Sequence, residues 1–377
     1  KRIENSDEVD KEKKLAQLSK LDTIGGINFD SVIIADFEED LKSVATSLIY
    51  TDIPPTRVTY ITLNQWFDKS LLNETMIQPI YFPSVNYENY INYLNKYIDY
   101  LLALLPIVTG YADRDIDKNV KKQIDKGVIL SLSHPLEIEL SEMLAKVIPY
   151  AEMVKFGKNG SDALSAAVRV ARATTKKNMI AVCGYHGWHD WFIGTTNRNL
   201  GIPSEVKNLT KTFSFNNIQS FISLIKKYKN SFAAVIVEPE TIIKTDKKFL
   251  KYLRDYCNKN NSLLVFDEVI CGFRCQMGGA SKKHNIQADL GCFGKSMANG
   301  YPLSALVGKK KYMKIMEDIF VSGTFSGDIL SIAAAIATIK KLQRFDVIKK
   351  INKHGIKLTT MLNNIIDENN LIDQVCF

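Results

Sequence analysis

Two short stretches, Leu263-Leu-Val-Phe-Asp-Glu268 and Leu290-Gly-Cys-Phe-Gly-Lys295, decide the fold. Each begins as a run of apolar residues and ends in a charged residue. Apolar runs of about four to eight residues are typical of strands that are buried on both faces, as in a parallel sheet. The first run therefore predicts a buried strand that ends in two acids, and the second predicts one that ends at a lysine.

Two further runs of the same kind lie upstream, at Met179–Cys183 and Ala233–Val237. The first leads into Gly184-Tyr-His-Gly187 and the second into Glu238-Pro239. An acid after a buried strand is often only a loop residue or a helix cap. Four polar strand ends in succession instead favour a shared site.

Amphipathic helical patterns, such as Ile218–Tyr228 and Lys247–Asn258, separate the strand candidates. This alternation predicts an α/β fold with a mostly parallel central sheet and helices on both faces. Ligands bind beyond the carboxyl ends of the strands in such a sheet. We therefore expect the tyrosine, the acids and the lysine to meet in one crevice.

These strand ends match the needs of pyridoxal 5′-phosphate, which requires an amine, an acid facing its ring nitrogen and a surface for ring stacking. Lys295 offers the amine for a Schiff base, and desolvation after an apolar run lowers the pKa of a lysine. Asp267 can pair with the ring nitrogen, Val269 can pack against the ring, and Tyr185 offers a flat face.

A phosphate cradle is predicted at the turn 157–162, which leads into the helical pattern Ala163–Thr174. Its candidate binding residues are Asn159, Gly160 and Ser161, with Ser161 as the helix N-cap. Glycine turns before helices are common and most bind nothing. The prediction of a phosphate cradle therefore rests on the four polar strand ends as well as on this turn.

The histidines and cysteines do not suggest a metal site. His186 and His189 are three residues apart without a third ligand, and Cys271 and Cys275 lack a second pair. We place His186 beside the cofactor and leave His189 without a role. The six cysteines are scattered, which favours free thiols and a cytoplasmic location.

Composition and charge indicate which classes of partner the chain binds. The 377 residues are 46% hydrophobic, and the net charge of +8 is spread over short lysine runs, which indicates a solvated basic surface without nucleic-acid binding. The longest apolar stretch, Leu101–Val108, is shorter than the ~20 residues of a membrane span. No signal peptide is visible, and the sequence starts at Lys1. The expected partners are small molecules.

From Tyr97 to Leu342 the chain resembles the class III aminotransferases, particularly their glutamate-1-semialdehyde aminomutase-like branch. The motifs that carry the resemblance, in chain order, are Glu152-Met-Val-Lys-Phe156, Asn159-Gly-Ser-Asp162, Tyr185-His-Gly187, Val235-Ile-Val-Glu-Pro239, Phe266-Asp-Glu-Val269, Gly272-Phe-Arg274, Gly278-Gly-Ala280, Phe293-Gly-Lys295, Asn299-Gly-Tyr-Pro302 and Gly323-Thr-Phe-Ser-Gly327.

The resemblance implies a fold-type I transferase that depends on pyridoxal 5′-phosphate. It implies transfer of an amino group from a small donor to a carbonyl acceptor through pyridoxamine phosphate. It also implies a homodimer with the active site at the subunit interface, in which Thr324 reaches the phosphate of the neighbouring subunit. Glu238 is expected near the ring hydroxyl of the cofactor.

Two departures from the family leave the substrate open. Tyr93-Leu-Asn-Lys96 replaces the Asp-Gly-Asn turn that is expected before Tyr97-Ile-Asp99, and Glu240–Thr245 replaces a glycine-rich, proline-containing loop on the substrate side. Enzymes that resemble this branch also occur beside sugar-activating domains, so amino-sugar or polysaccharide biosynthesis is one expected setting. The alternatives are a 2,1-aminomutase and a non-catalytic scaffold that binds the cofactor.

The domain boundaries follow from the same patterns. Residues 1–96, with a strand-like run at Ser31–Asp36, are an extension or the remnant of an upstream domain. Residues 97–328 form the large cofactor-binding domain, and residues 329–377 begin a small C-terminal domain. Because Gln374–Phe377 resembles the start of a strand, we expect this small domain to be incomplete, either by truncation or with residues 1–96 folded back in its place.

Overall fold

The computed structural model describes residues 31–33, 48, 59–61, 80–81, 105–130 and 132–368. The chain divides into two units, residues 1–100 and 101–377. The first unit contains a parallel sheet of order β1-β2-β3, formed by β1 (Ser31–Ile33), β2 (Thr59–Ile61) and β3 (Ile80–Tyr81). The strand expected at Gln374–Phe377 lies outside the described residues.

The second unit is built on a seven-stranded sheet of order β4-β10-β9-β8-β7-β5-β6. All neighbouring pairs are parallel except those made by β10, which runs antiparallel to both of its neighbours. The mostly parallel sheet is therefore confirmed. Its strands are β4 (Met153–Gly157), β5 (Met179–Cys183), β6 (Thr210–Thr212), β7 (Phe232–Val237), β8 (Leu263–Glu268), β9 (Leu290–Phe293) and β10 (Ser304–Gly308).

Helices precede, connect and follow these strands. They are α1 (Arg114–Ile124), α2 (Pro135–Val147), α3 (Gly160–Thr175), α4 (Asp190–Ile193), α5 (Ser204–Asn208), α6 (Ile218–Lys227), α7 (Lys247–Lys259), α8 (Ala280–His284), α9 (Lys310–Met313), α10 (Ile329–Arg344) and α11 (Val347–Glu368), with 3-10 turns at Lys295–Ala298 and Lys314–Glu317.

Both faces of the sheet are covered, because alternate residues of a strand point to opposite sides. Val235 of β7 packs in one apolar cluster with Phe249 of α7, whereas its neighbour Ile236 packs in the other cluster with Ala167 of α3. All four side chains are fully buried. Helices on both faces explain why the central strands are continuous apolar runs.

Helix α3 begins one turn earlier than the sequence suggested. Its N-cap is Asn159, and the carboxylate of Asp162 accepts hydrogen bonds from the backbone N–H groups of Asn159 (2.8 Å) and Lys158 (3.0 Å). The prediction that Ser161 caps the helix is wrong. Ser161 lies inside the first turn, where its Oγ accepts a hydrogen bond from the backbone N–H of Trp188 at 3.3 Å.

Glu268, the last residue of β8, is a fully buried carboxyl group. Its Oε1 accepts a hydrogen bond from the backbone N–H of Ala280 at 2.7 Å, and the Cys271 thiol donates to Oε2 at 3.0 Å. No ion pair to Glu268 occurs within the described part of the chain. Burial raises the pKa of Glu268 to about 7.

Glu268→Gln is expected to flatten the dependence of stability on pH. Because the pKa of Glu268 is about 7 in the folded chain and 4.5 ordinarily, the folded state keeps a proton that the unfolded chain releases. The free energy of unfolding should therefore fall as the pH rises from about 4.5 to 7, by about 3 kcal/mol. Urea unfolding at several pH values measures this loss.

The matched control is Glu139→Gln, which removes a carboxylate whose side chain is 40% exposed and which pairs with Lys340 on the surface. This variant should keep the wild-type pH dependence. An unchanged slope in Glu268→Gln would show that the Glu268 carboxyl is ionised in the folded chain.

Candidate active site

The predicted site residues follow four strands that are neighbours in the sheet, in the order β9-β8-β7-β5. Their ends are in register: Cys183 pairs with Val237, Val237 with Phe266, and Glu268 with Phe293. Because all four strands run in parallel, the residues that follow them emerge at one edge of the sheet. The residues that the sequence predicts for the site therefore lie along one edge of the sheet.

Asp267 is the buried acid of this edge. Its Oδ2 lies 2.8 Å from Nδ1 of His186, and its Oδ1 accepts a hydrogen bond from the backbone N–H of Val269 at 3.1 Å. Nε2 of His186 lies 3.2 Å from the carbonyl oxygen of Cys183. Both ring nitrogens thus lie within hydrogen-bond distance of an oxygen atom. His186 therefore holds the acid in place.

Lys295 follows β9 with a backbone φ of 43°, in the left-handed region that residues other than glycine rarely adopt. Strain of this kind is found at functional sites. Partial burial lowers the pKa of the Lys295 amine, with the nearby Asp267 and Glu238 acting in the opposite direction. A lowered pKa increases the share of neutral amine, which is the nucleophilic form.

Glu238 follows β7 and faces the loop that begins at Gly184. Its Oε2 accepts a hydrogen bond from the backbone N–H of Tyr185 at 3.0 Å. A Cβ at position 184 would lie 2.3 Å from the same oxygen, and the φ of Gly184 is +111°, so only glycine allows this approach. Burial raises the pKa of Glu238, and the nearby Asp267 adds to the effect.

Tyr185 presents its ring at the mouth of the site, where 59% of the residue is exposed. The ring packs edge-on against Phe192, with the ring centroids 5.5 Å apart. This contact fixes the ring and leaves much of its surface accessible. A fixed, accessible aromatic ring is suited to stacking against a flat ligand.

The predicted phosphate cradle lies against the same edge of the sheet. A Cβ at position 160 would lie 2.9 Å from both methyl carbons of Val269, so the N-terminus of α3 packs directly on the residue that follows Asp267 by two. A Cβ at Gly187 would lie 2.2 Å from Oγ of Ser161. The cradle, the Tyr185 loop and the Asp267 strand therefore meet.

These groups fit pyridoxal 5′-phosphate on chemical grounds. Lys295 supplies an amine, Asp267 a buried carboxylate, Tyr185 an accessible ring, and the N-terminus of the sixteen-residue helix α3 a set of backbone N–H groups. Glycine at position 160 keeps the helix end close to Val269.

Thr324 is the one predicted site residue that the single chain does not bring to this edge. It is exposed, on the loop before α10, where it lines a cavity of about 810 Å³ together with Asn159, Asp162 and Phe320. The cavity borders the cradle, but no contact joins Thr324 to Lys295 or Asp267. Its role toward a neighbouring subunit stays a prediction.

Sequence reasoning missed how Lys158, inside the cradle motif, is held. Its Nζ forms an ion pair with Oδ2 of Asp328 at 2.5 Å and donates to the carbonyl oxygen of Pro302 at 2.9 Å. Asp328 also caps α10, since its Oδ1 accepts a hydrogen bond from the N–H of Leu330. An acid directly before an apolar helical run is a signal for that cap, but nothing local signals the ion pair.

The described residues contain no group of three or more His, Cys, Asp or Glu side chains that could hold a metal ion. Within the same residues, no helix has both the length and the apolar character needed to cross a membrane. The five described cysteines are free thiols.

Comparison with known proteins places the chain in a family. The class III aminotransferase family model matches residues 90–376. A 3-aminobutyryl-CoA aminotransferase of Cloacimonas acidaminovorans is 37% identical over 281 residues, which are 72% of this chain and 67% of that protein. A glutamate-1-semialdehyde 2,1-aminomutase of Francisella philomiragia is 35% identical over 293 residues, covering 73% of this chain and 67% of that protein.

Solved structures agree with this assignment. The FumI protein of a Sphingopyxis species, in its pyridoxal-phosphate internal aldimine form, matches with a TM-score of 0.68 and 30% identity over 73% of this chain and 67% of that one. An omega-transaminase of Sphaerobacter thermophilus matches with a TM-score of 0.67 and 26% identity, covering 72% of this chain and 67% of that one. The chain therefore belongs to the class III aminotransferases and is a pyridoxal-phosphate-dependent aminotransferase.

Proposed function

We propose that Lys295 holds the cofactor and moves the proton during transfer of an amino group from a small amino donor to a carbonyl acceptor. The observation that carries the proposal is the conformation of Lys295, which is left-handed and partly desolvated beside the buried pair of Asp267 and His186. Pyridoxal phosphate, when bound, supplies the electron sink that this chemistry needs.

Two opposing effects suit Lys295 to proton transfer. Desolvation favours the neutral amine, whereas the carboxylates of Asp267 and Glu238 favour the ammonium form. The neutral amine can accept a proton at Nζ, and a lowered pKa makes the return of that proton easier.

The remaining residues bind and orient. Asp267, fixed by His186 and by the backbone N–H of Val269, is proposed to pair with the ring nitrogen of the cofactor. The N-terminus of α3 is proposed to bind the phosphate, with Asn159, Gly160 and Ser161 forming its first turn. Tyr185 is proposed to stack on the ring, and Glu238 to approach the ring hydroxyl.

The substrate is proposed to be selected by the loop Glu240–Thr245, which follows Glu238. Glu240 is held by an ion pair to Lys283 at 3.0 Å and by contact with His284, both on α8. The Thr245 hydroxyl donates to the carbonyl oxygen of Pro239 at 2.9 Å. Fixed at both ends, the loop exposes Ile242 at its tip.

A 2,1-aminomutase is the second candidate, favoured by the 35% identity to the Francisella enzyme. Exchange of the amino group with free 2-oxo acids separates the two, since a transaminase releases the group to another molecule and a mutase returns it to the same one. Neither curated relative reported above is named for a sugar substrate, so the amino-sugar setting rests on the sequence resemblance alone.

We also propose a homodimer in which Thr324 completes the phosphate site of the neighbouring subunit. Thr324 is flanked by exposed aromatic side chains, with Phe320 81% and Phe325 61% exposed. Apolar surface of this kind supports a subunit contact. A cytoplasmic location is proposed from the free cysteines.

Lys295→Ala is expected to abolish turnover and the visible absorbance of the lysine-bound cofactor, while the melting temperature of the cofactor-free chain stays near wild type. The reason is that no other amine takes the place of Nζ at the end of β9. Lys251→Ala, which removes a lysine whose side chain is 68% exposed on α7, is the control and should retain both properties. Turnover in Lys295→Ala would show that another lysine holds the cofactor, whereas an inactive wild type would favour the scaffold alternative.

Asp267→Asn is expected to lower the rate by about two orders of magnitude or more, because a neutral amide no longer favours a protonated ring nitrogen. Steady-state kinetics with a fixed donor and acceptor measure the rate, and far-ultraviolet circular dichroism checks the fold. Asp255→Asn, on the exposed surface of α7, is the control and should keep the wild-type rate. Equal rates in the two variants would remove Asp267 from the mechanism.

Thr324→Ala is expected to weaken cofactor retention without altering the mass of the dimer, because the hydroxyl is proposed to serve the neighbouring subunit. Light scattering gives the mass, and dialysis followed by absorbance gives the retention. Ser322→Ala, in the same exposed loop, is the matched control. If the wild-type protein is a monomer by light scattering and still retains the cofactor after dialysis, the proposal is contradicted.

A further inference from the structure

Arg274 lies in the loop after β8 and makes hydrogen bonds to a distant segment of the chain. Its Nη2 donates to the carbonyl oxygens of Leu105 (2.8 Å) and Ile107 (3.0 Å). Its Nε is buried and has no hydrogen-bond partner among the described residues. A buried donor without a partner has an energetic cost, so the position of this guanidinium calls for an explanation.

The charge of Arg274 has no counter-ion in the part of the chain that the structure describes. No ion pair to Arg274 occurs among the described residues, although the guanidinium is half-buried. Burial lowers the pKa of Arg274, but an arginine stays charged at every pH relevant to the protein. This charge is close enough to lower the pKa of the Lys295 amine, against the opposite effect of Asp267 and Glu238.

The segment that Arg274 holds is strained. Leu105 has a φ of +74°, and it precedes Pro106. Such a conformation persists in a residue other than glycine when its surroundings over-determine it. Besides Arg274, the carbonyl oxygen of Leu105 accepts a hydrogen bond from the hydroxyl of Ser296, the residue after Lys295, at 3.3 Å.

A second attachment joins the same two parts of the chain. Oδ1 of Asn299 accepts hydrogen bonds from the backbone N–H groups of Val108 (2.8 Å) and Thr109 (2.9 Å). Asn299 ends the 3-10 turn that Lys295 begins. The segment 105–109, called the wall below, is thus bonded through Ser296 and Asn299 to the turn that begins at Lys295. Arg274 is bonded to its strained end, at Leu105.

We propose that Arg274 is a positioning residue for the transfer reaction. It fixes the strained wall at Leu105–Ile107 beside the Lys295 turn and keeps a positive charge near the lysine amine. The proposal rests on the role of Lys295 proposed above. The charge favours the neutral amine, and the two hydrogen bonds hold the wall to which Ser296 and Asn299 of the Lys295 turn are bonded.

Arg254 provides a matched control within the chain. Its Nε is likewise buried with no partner in the described part of the chain, but its Nη1 forms an ion pair with Asp289 at 2.7 Å. Asp289 lies directly before β9, whereas Lys295 follows that strand, so the two arginines stand at opposite ends of it. Loss of Arg254 removes the same chemistry from a place where it cannot act on the lysine.

The first test uses the full chain loaded with pyridoxal phosphate, without substrate. The visible absorbance of the lysine-bound cofactor is titrated across pH in wild type, Arg274→Gln, Arg274→Lys and Arg254→Gln. Removing a nearby positive charge raises the pKa of a cationic group, so the midpoint should move upward in Arg274→Gln. It should move less in Arg274→Lys, which keeps a charge, and stay unchanged in Arg254→Gln.

The second test measures amide hydrogen exchange in peptides that cover residues 105–109. Both Arg274 variants should exchange at least about tenfold faster there, because lysine cannot reproduce the hydrogen bonds of the planar guanidinium. Leu105→Gly removes the backbone strain and should restore much of the protection in the Arg274→Gln background. This double variant also serves the pH titration if Arg274→Gln alone folds poorly.

If the midpoint is unchanged in Arg274→Gln, or shifts equally in Arg254→Gln, the proposed effect of the Arg274 charge is wrong. Unaltered exchange at residues 105–109 in both Arg274 variants overturns the effect on the wall. Lys295→Ala separates these failures from failure of the proposed function. If that variant keeps the cofactor absorbance of wild type, the role of Lys295 is wrong. If it loses the absorbance while Arg274→Gln matches wild type, only the present proposal fails.

Discussion

A carboxylate buried at the end of an apolar strand must be compensated, and the arrangement around Asp267 follows from this constraint. His186 and the backbone N–H of Val269 occupy one oxygen each. To reach the acid, His186 must lie on the loop after β5, and that loop also carries Tyr185. The parallel register of β5, β7 and β8 brings the three strand ends to one level. The support of one buried charge thereby positions the aromatic ring and, through Val269, the start of α3.

Close approach of the backbone completes the arrangement. Gly160 allows α3 to contact Val269, Gly184 admits the carboxylate of Glu238, and Gly187 leaves room for the hydroxyl of Ser161. A side chain at any of these positions would separate two parts of the site. Lys295, the proposed catalytic lysine, begins a strained turn, and Arg274 and Asn299 are bonded to the wall beside that turn. Desolvation and charge then set the proton affinity of its amine.

Local patterns allowed much of this to be predicted. The four apolar strands and their polar ends are encoded in short runs, so the sheet and the positions of Lys295, Asp267 and Glu238 at its strand ends could be predicted without coordinates. The sequence predicts Ser161 as the N-cap of α3, two residues after the actual cap Asn159, because both residue types are good N-caps. The bonds of Lys158 to Asp328 and of Arg274 to Leu105 join residues about 170 positions apart, for which a single sequence carries no signal. The proposed partners of Thr324 lie on a second subunit, so the structure of one chain does not contain them.

The central claim is that Lys295, among all the lysines of the chain, bonds to the cofactor. Reduction of the cofactor-loaded protein with borohydride, followed by proteolysis and mass spectrometry, locates the modified lysine directly. The account predicts one major pyridoxyl-labelled peptide, with the label on Lys295 and none on Lys158 in the cradle. A label on Lys158 or any other lysine, with Lys295 unmodified, would contradict it.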